Sequence, residues 1–238
     1  DLVRSRGLGD VYKRQMQAKY SSKFTILMSL GIAWSLYRIV SEPPSFQAIA
    51  IMVVLCYFIT DLVSGLLHII LDNPRSLAIK FIAPLAQGFQ NHHNAPEKIF
   101  RELSLYQHLY VMHLPLTLFF IAVLPFNNPI VFVGYLCMVA NLHLMQMSHR
   151  WAHVPDAQRG ALVTSLQRVR FIIPYGAHAK HHVDPYARDF CIMSGLCNIP
   201  LNAAASVFGV RSHGWIAAFL AVCTIPIGAG LLMYYAGV

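Results

Sequence analysis

FQAIAIMVVLCYFITDLVSGLLHIIL, residues 46–71, is the stretch on which the fold turns. Crossing the hydrocarbon of a bilayer takes about 20 apolar residues as a helix rising about 1.5 Å per residue. This run of 26 is longer than that and holds one acidic residue, Asp61. Four further runs reach similar length: roughly Phe24–Val40, Leu109–Phe126, Pro129–Met147 and Trp215–Gly237. The predicted fold is therefore an all-α integral membrane protein of about four to five transmembrane helices. Composition agrees, with 56% hydrophobic and 12% charged residues, whereas soluble domains carry about 25% charge. Disorder is excluded for the same reason. The five cysteines include no C-x-x-C and read as buried thiols.

Two polar connectors, Ser41–Pro44 and Asn127–Pro129, join successive runs into hairpins. Two longer polar stretches remain, Asp72–His108 and Ser148–Gly214. With the N-terminus inside, 17 of the 18 Lys and Arg residues fall on one side of the membrane, and only Arg38 does not. The positive-inside rule then makes both long stretches cytoplasmic. The net charge of +8 reports cytoplasmic loops, and no nucleic-acid partner is expected. Residues 1–15, DLVRSRGLGDVYKRQ, precede the first methionine, Met16, and show no apolar periodicity. They are expected to be a non-native extension ahead of a single membrane-embedded domain, 16–238.

Twelve histidines stand out in this composition, and none falls on the outer side. Four groups have ligand spacing. In DLVSGLLHIILD, His68 and Asp72 are i, i+4 neighbours on a helix, and Asp61 lies on the same stripe. An acid at that depth is costly and usually functional. Its expected role is to accept the free N–H of a ligating His68. In QNHHNAP, His92 and His93 point about 100° apart if helical, so one can reach one metal while its neighbour reaches a second metal or only the groups around the first. In HRWAH, His149 and His153 share a face, and the intervening residues do not match a zinc-protease helix. In HAKHH, His178, His181 and His182 occupy i, i+3 and i+4, so a short helix is expected to offer three imidazoles together. Eight imidazoles exceed what one ion binds, and a two-metal centre capping the cytoplasmic face follows. Ligand type alone leaves iron and zinc open. His108, His113, His143 and His213 lack partners at ligand spacing and read as packing or interfacial residues. Arg150, Lys180 and Arg188 beside the groups read as snorkelling cations.

These motifs, in this order, resemble the Kua-type lipid desaturases, which include plasmanylethanolamine desaturases and the plastid palmitate desaturase. The resemblance continues through Val183–Pro185 and FCIMSGLCNIPL, so it covers about residues 61–201. It implies an O2-dependent non-haem di-iron desaturase with two iron ions as cofactor. An external electron donor, a cytochrome b5 or a ferredoxin-like protein, is the implied partner, and a phospholipid acyl or alkyl chain the implied substrate. The ligand role carries over to His68, His92, His93, His149, His153, His178, His181 and His182, with Asp72 as a further candidate. Ala95 stands where plasmanyl-ether members commonly have an aspartate, a pattern closer to the plastid branch. Three competing functions are a di-iron hydroxylase, a metal transporter and a b-type cytochrome. A transporter needs ligands near the midplane, and a cytochrome needs histidines inside paired spans, a place only His113 and His143 approach.

Overall fold

Five helices are long and apolar enough to cross a membrane: α1 (Lys23–Ser41), α2 (Phe46–Asp72), the span Leu105–Phe126, α6 (Pro129–Ala152) and α10 (Gly214–Ala236). The computed structural model describes residues 23–80, 82–96 and 103–238, with no strand among them. The expected non-native extension, 1–15, lies outside the described residues. The span Leu105–Phe126 is broken into α4 (Leu105–Tyr110) and α5 (His113–Val123), closed by a 3-10 turn. Pro115 accounts for the break, because its ring conflicts with the carbonyl of Val111 and it supplies no N–H. Between α5 and α6, Asn127 adopts a left-handed φ of 47°, which asparagine tolerates. Asn128 then caps α6, accepting from the Ile130 and Val131 amides at 2.9 and 3.2 Å, with Pro129 at the first helical position. Arg38, the one basic residue expected outside, is neutralised by Glu42 at 2.8 Å.

Helix α2 is central. Both α6 and α10 pack along it, and Met52, Cys56, Ile59 and Val63 meet Met138, Leu142 and Met145 in one core. Helix α1 lies against α5 and α6, where the Tyr135 hydroxyl reaches the Met28 carbonyl and the Thr117 hydroxyl the Phe24 carbonyl. Shorter helices fill the two long stretches: α3 (Ala83–Asn94), α7 (Ala161–Arg168), α8 (Tyr175–His178) and α9 (Asn198–Phe208).

The stretch Ser148–Gly214 is not wholly a cap above the membrane helices. From Asp189 the chain runs back along α2, and its tip meets Asp61, eleven residues or about 16 Å of helix before Asp72. There Cys197 reaches the Phe58 carbonyl, and α9 climbs back with Leu201 against Leu66. An irregular backbone beside an apolar helix is tolerated only where its polar groups find partners in the protein. They do. Ser64 accepts from the Ile192 amide at 3.0 Å and Asn198 from the Cys191 amide at 2.8 Å. Ser148 donates to the Met193 carbonyl at 2.6 Å and accepts from the Ile173 amide at 3.0 Å.

Candidate metal centre

Four elements converge where α2 and α6 end. The last turn of α2 carries His68 and Asp72, and that of α3 carries His92 and His93. Gln90 ties α3 to α2 by donating to the carbonyls of Leu71 (3.0 Å) and Asn73 (3.4 Å). The end of α6 presents His149 and, as its cap, His153. Helix α8 and the turn after it bring His178, His181 and His182.

The donors separate into two sets. His92, His149, His153, His178 and His182 place one ring nitrogen each within 4.8 Å of all the others. Consecutive Nε2 atoms lie 3.1 Å (His92–His149), 3.2 Å (His149–His153), 3.0 Å (His153–His178) and 3.1 Å (His178–His182) apart. A neutral imidazole Nε2 carries either one hydrogen or one lone pair. His149, His153 and His178 each face two such neighbours and cannot satisfy both. A cation at the common focus satisfies all five. With metal–nitrogen bonds of about 2.1 Å, donors at right angles are about 3.0 Å apart and tetrahedral ones about 3.4 Å. The observed spacing and the number of donors suit a five- or six-coordinate ion better than four-coordinate zinc.

The second set is Asp72, His93 and His181. His181 Nε2 lies 3.1 Å from one carboxylate oxygen of Asp72, and His93 Nε2 lies 3.2 Å from the other. The second contact is not aligned as a hydrogen bond, so both of its atoms are buried without one. His181 Nδ1 meets the Arg188 carbonyl at 2.9 Å. A carbonyl only accepts, so Nδ1 carries the hydrogen and the Nε2 lone pair faces the carboxylate. Two acceptors at that distance need a proton or a cation between them. His68 obeys the same logic: Nδ1 donates to the Ser64 carbonyl at 3.1 Å, and Nε2 is buried with no partner. His68 belongs to neither closed set but stands between them, its ring 5.1 Å from His181 and 5.8 Å from His149.

Burial keeps these imidazoles in the neutral form that binds metals. It pushes His153 down to about 3, with the nearby histidines adding to the effect. Burial and His153 push His182 down to about 2. His92 and His178 are driven well below the ordinary range, first by burial and then by His153.

The sequence-derived site is rearranged in two places. HAKHH does not offer three imidazoles together: His178 and His182 enter the first set and His181 the second. The helix α8 stops at His178, and the chain continues as a tighter turn with the His181 amide on the His178 carbonyl at 2.9 Å, which turns His181 away from the first set. Asp61 does not serve His68, whose N–H already goes to Ser64. Its oxygens instead accept from the amides of Ser194 (2.8 Å), Gly195 (3.1 Å) and Cys197 (2.9 Å). A carboxylate supplies the acceptors that three amides at the loop tip would otherwise lack. The His92–His93 pair divides between the sets, and Asp72 enters the second. Sequence reasoning missed Ser64, Ser148 and Asn198. The available signal was that Ser64 and Ser148 are polar residues buried among apolar ones. The remaining histidines stay apart: His108 meets the Gln146 carbonyl, His113 Thr25, His143 the Val139 carbonyl and His213 Arg75. Arg150 donates to the Leu103 carbonyl and Arg188 pairs with Asp189.

Comparison with known proteins identifies the family. The profile of the lipid desaturase domain matches residues 57–210, which contain every residue of both sets. Fatty acid desaturase 4, chloroplastic, of Arabidopsis thaliana is 33% identical over 174 residues, covering 67% of this chain and 52% of that protein. A second Arabidopsis protein, fatty acid desaturase 4-like 2, chloroplastic, is 28% identical over 172 residues (67% and 61%). Plasmanylethanolamine desaturase of Myxococcus xanthus is 28% identical over 204 residues (82% and 70%). The chain thus spans about half to three fifths of the plant relatives it matches. No solved structure matches it. With the profile covering both donor sets and well over half of the chain, the chain belongs to the lipid desaturase domain family.

Proposed function

We propose that the protein is a membrane-bound, O2-dependent, non-haem di-iron desaturase that introduces a double bond into an acyl or alkyl chain of a phospholipid. The observation that carries this reading is the pair of donor sets, one of five imidazoles and one of two imidazoles and a carboxylate, with His68 between them. His92, His149, His153, His178 and His182 would hold one iron, and Asp72, His93 and His181, completed by His68, the other. Bound iron would activate O2, the oxidant that removes two hydrogens from an unactivated chain, chemistry no side chain performs. In balance, the chain CH2–CH2, O2, two electrons and two protons give CH=CH and two waters. The electrons come from an external donor of the cytochrome b5 or ferredoxin type.

The protein's own groups hold and shield. The carbonyls of Ser64 and Arg188 fix the rings of His68 and His181 with Nε2 aimed inward. Asp72 brings negative charge to a site otherwise made of neutral rings. Phe89 on His68 and Phe190 on His181 cover the second set, with ring centroids 5.0 and 5.5 Å apart, and keep bulk water off it. Both sets lie at the same end of the spans, which disfavours a transporter, whose ligands follow a path across the membrane. The basic asymmetry makes that end cytoplasmic in this reading.

Elemental analysis of purified protein should find close to two irons per chain. His149→Ala and His181→Ala should each lower that content and abolish desaturation of host lipids. Stoichiometric zinc in place of iron, or full activity in both variants, would sink the reading.

A further inference from the structure

Where α2 ends and α10 begins, the Arg75 side chain meets the segment that carries Arg211 and His213. Arg75 follows Asp72 by one 3-10 turn, and Arg211 and His213 lead into α10. The Arg75 guanidinium lies 3.4 Å from the Arg211 carbonyl and 3.3 Å from His213 Nε2. Arginine only donates, so His213 accepts and keeps its own N–H on Nδ1. These bonds hold Arg75 against a segment more than a hundred residues away. All three side chains are exposed. No Asp or Glu occurs from Asn73 to Pro96 or from Phe190 to Val238, and Asp72 is engaged by His93 and His181. Arg75 and Arg211 therefore bring two positive charges with no acid in either segment, and the bonds to the Arg211 carbonyl and His213 hold Arg75 in place.

Its position is that of a headgroup. It caps two spans at the end where both donor sets lie, and Trp215 beneath it donates to the Gly209 carbonyl at 2.9 Å. The end of α9 exposes Val207 (76%) and Phe208 (69%), the latter with its ring 6.5 Å from that of Trp215. Cations above an exposed apolar face match an amphiphile with an anionic head and an apolar chain. A guanidinium fork suits phosphate oxygens.

We propose that Arg75, Arg211 and His213 bind the phosphate of the phospholipid substrate, holding its headgroup one turn from the Asp72 end of the metal centre. This rests on the desaturase reading above.

The test is binding of fluorescent phosphatidylglycerol and of the matching diacylglycerol to the full chain in detergent, with iron content measured alongside. The Arg211 side chain makes no hydrogen bond among the described residues, so Arg211→Gln leaves the local structure intact. It should weaken phosphatidylglycerol binding several-fold, and R75Q/R211Q by about ten-fold or more. Diacylglycerol binding and iron content should not change, and KM for phospholipid should rise with kcat nearly constant. Equal affinity in parent and R211Q overturns the proposal, as does parallel loss of both lipids in R211Q. Displacement of the lipid from the parent by millimolar inorganic phosphate would reassign the site to a soluble phosphate compound and overturn the lipid assignment. Weaker binding with unchanged KM would make it a membrane anchor instead of a substrate site. Because binding is read without turnover, a parent that binds as expected but never desaturates would sink the desaturase reading alone.

Discussion

Asp61 shows how a single buried acid changes meaning once its partners are known. At 0% exposure in an apolar helix, it satisfies three backbone amides of the chain that folds back beside α2. In Asp61→Asn the amide oxygen keeps one acceptor, while the NH2 group faces amide donors that it cannot serve. The expected cost is about 1–3 kcal/mol for the amide left unpaired, seen as a lowered unfolding temperature in detergent. Iron per folded chain should stay at the parent level. Iron lost at an unchanged unfolding temperature would return Asp61 to His68. The histidines differ in kind from Asp61. Their inward nitrogens have no adequate partner within the protein, so they await a ligand, whereas Asp61 already has three.

At the level of elements, the centre depends on how closely the returning chain approaches α2. Gly65 makes that approach possible: a Cβ there would meet Leu201 and would come within 2.7 Å of the Cys191 sulfur. Gly65→Ala is expected to cost about 1–3 kcal/mol by overpacking and to push Phe190–Met193 off the helix. Loss of stability together with greater protease access at residues 189–197 would show this. A variant as stable and as protected as the parent would mean that the segment does not pack as described. Ser148 links this segment to the metal centre, because the same turn of α6 that presents His149 also holds Met193 and Ile173. A shift of the returning chain is therefore transmitted to the first donor set.

Across the whole molecule, the spans set a single polarity. Both donor sets, the returning segment and the Arg75 cluster lie toward one end, and the Asn127–Asn128 turn and the Arg38–Glu42 pair lie at the other. Cysteine substituted at the exposed Asn127, in a chain whose native cysteines are replaced by alanine, should react with an impermeant maleimide from outside intact cells. Cysteine at Lys180 should react only after the membrane is opened. The reverse pattern would invert the topology read from the basic residues.

The five spans and the clustering of histidines at one end were legible along the chain. Run length, periodicity and charge asymmetry are local properties that one-dimensional spacing preserves. The divergence of His92 from His93 was also legible, since adjacent helical residues point apart by a known angle. Partnership emerged only in three dimensions. Whether His181 follows His178 and His182 or turns to Asp72 depends on where α8 gives way to a tighter turn, marked by the His181 amide on the His178 carbonyl at 2.9 Å. Whether Asp61 serves an imidazole or a backbone depends on a segment 133–136 residues away folding back to meet it. Contacts across such separations leave no periodic trace along the chain, because they arise only when the spans have packed and every buried amide must find an acceptor.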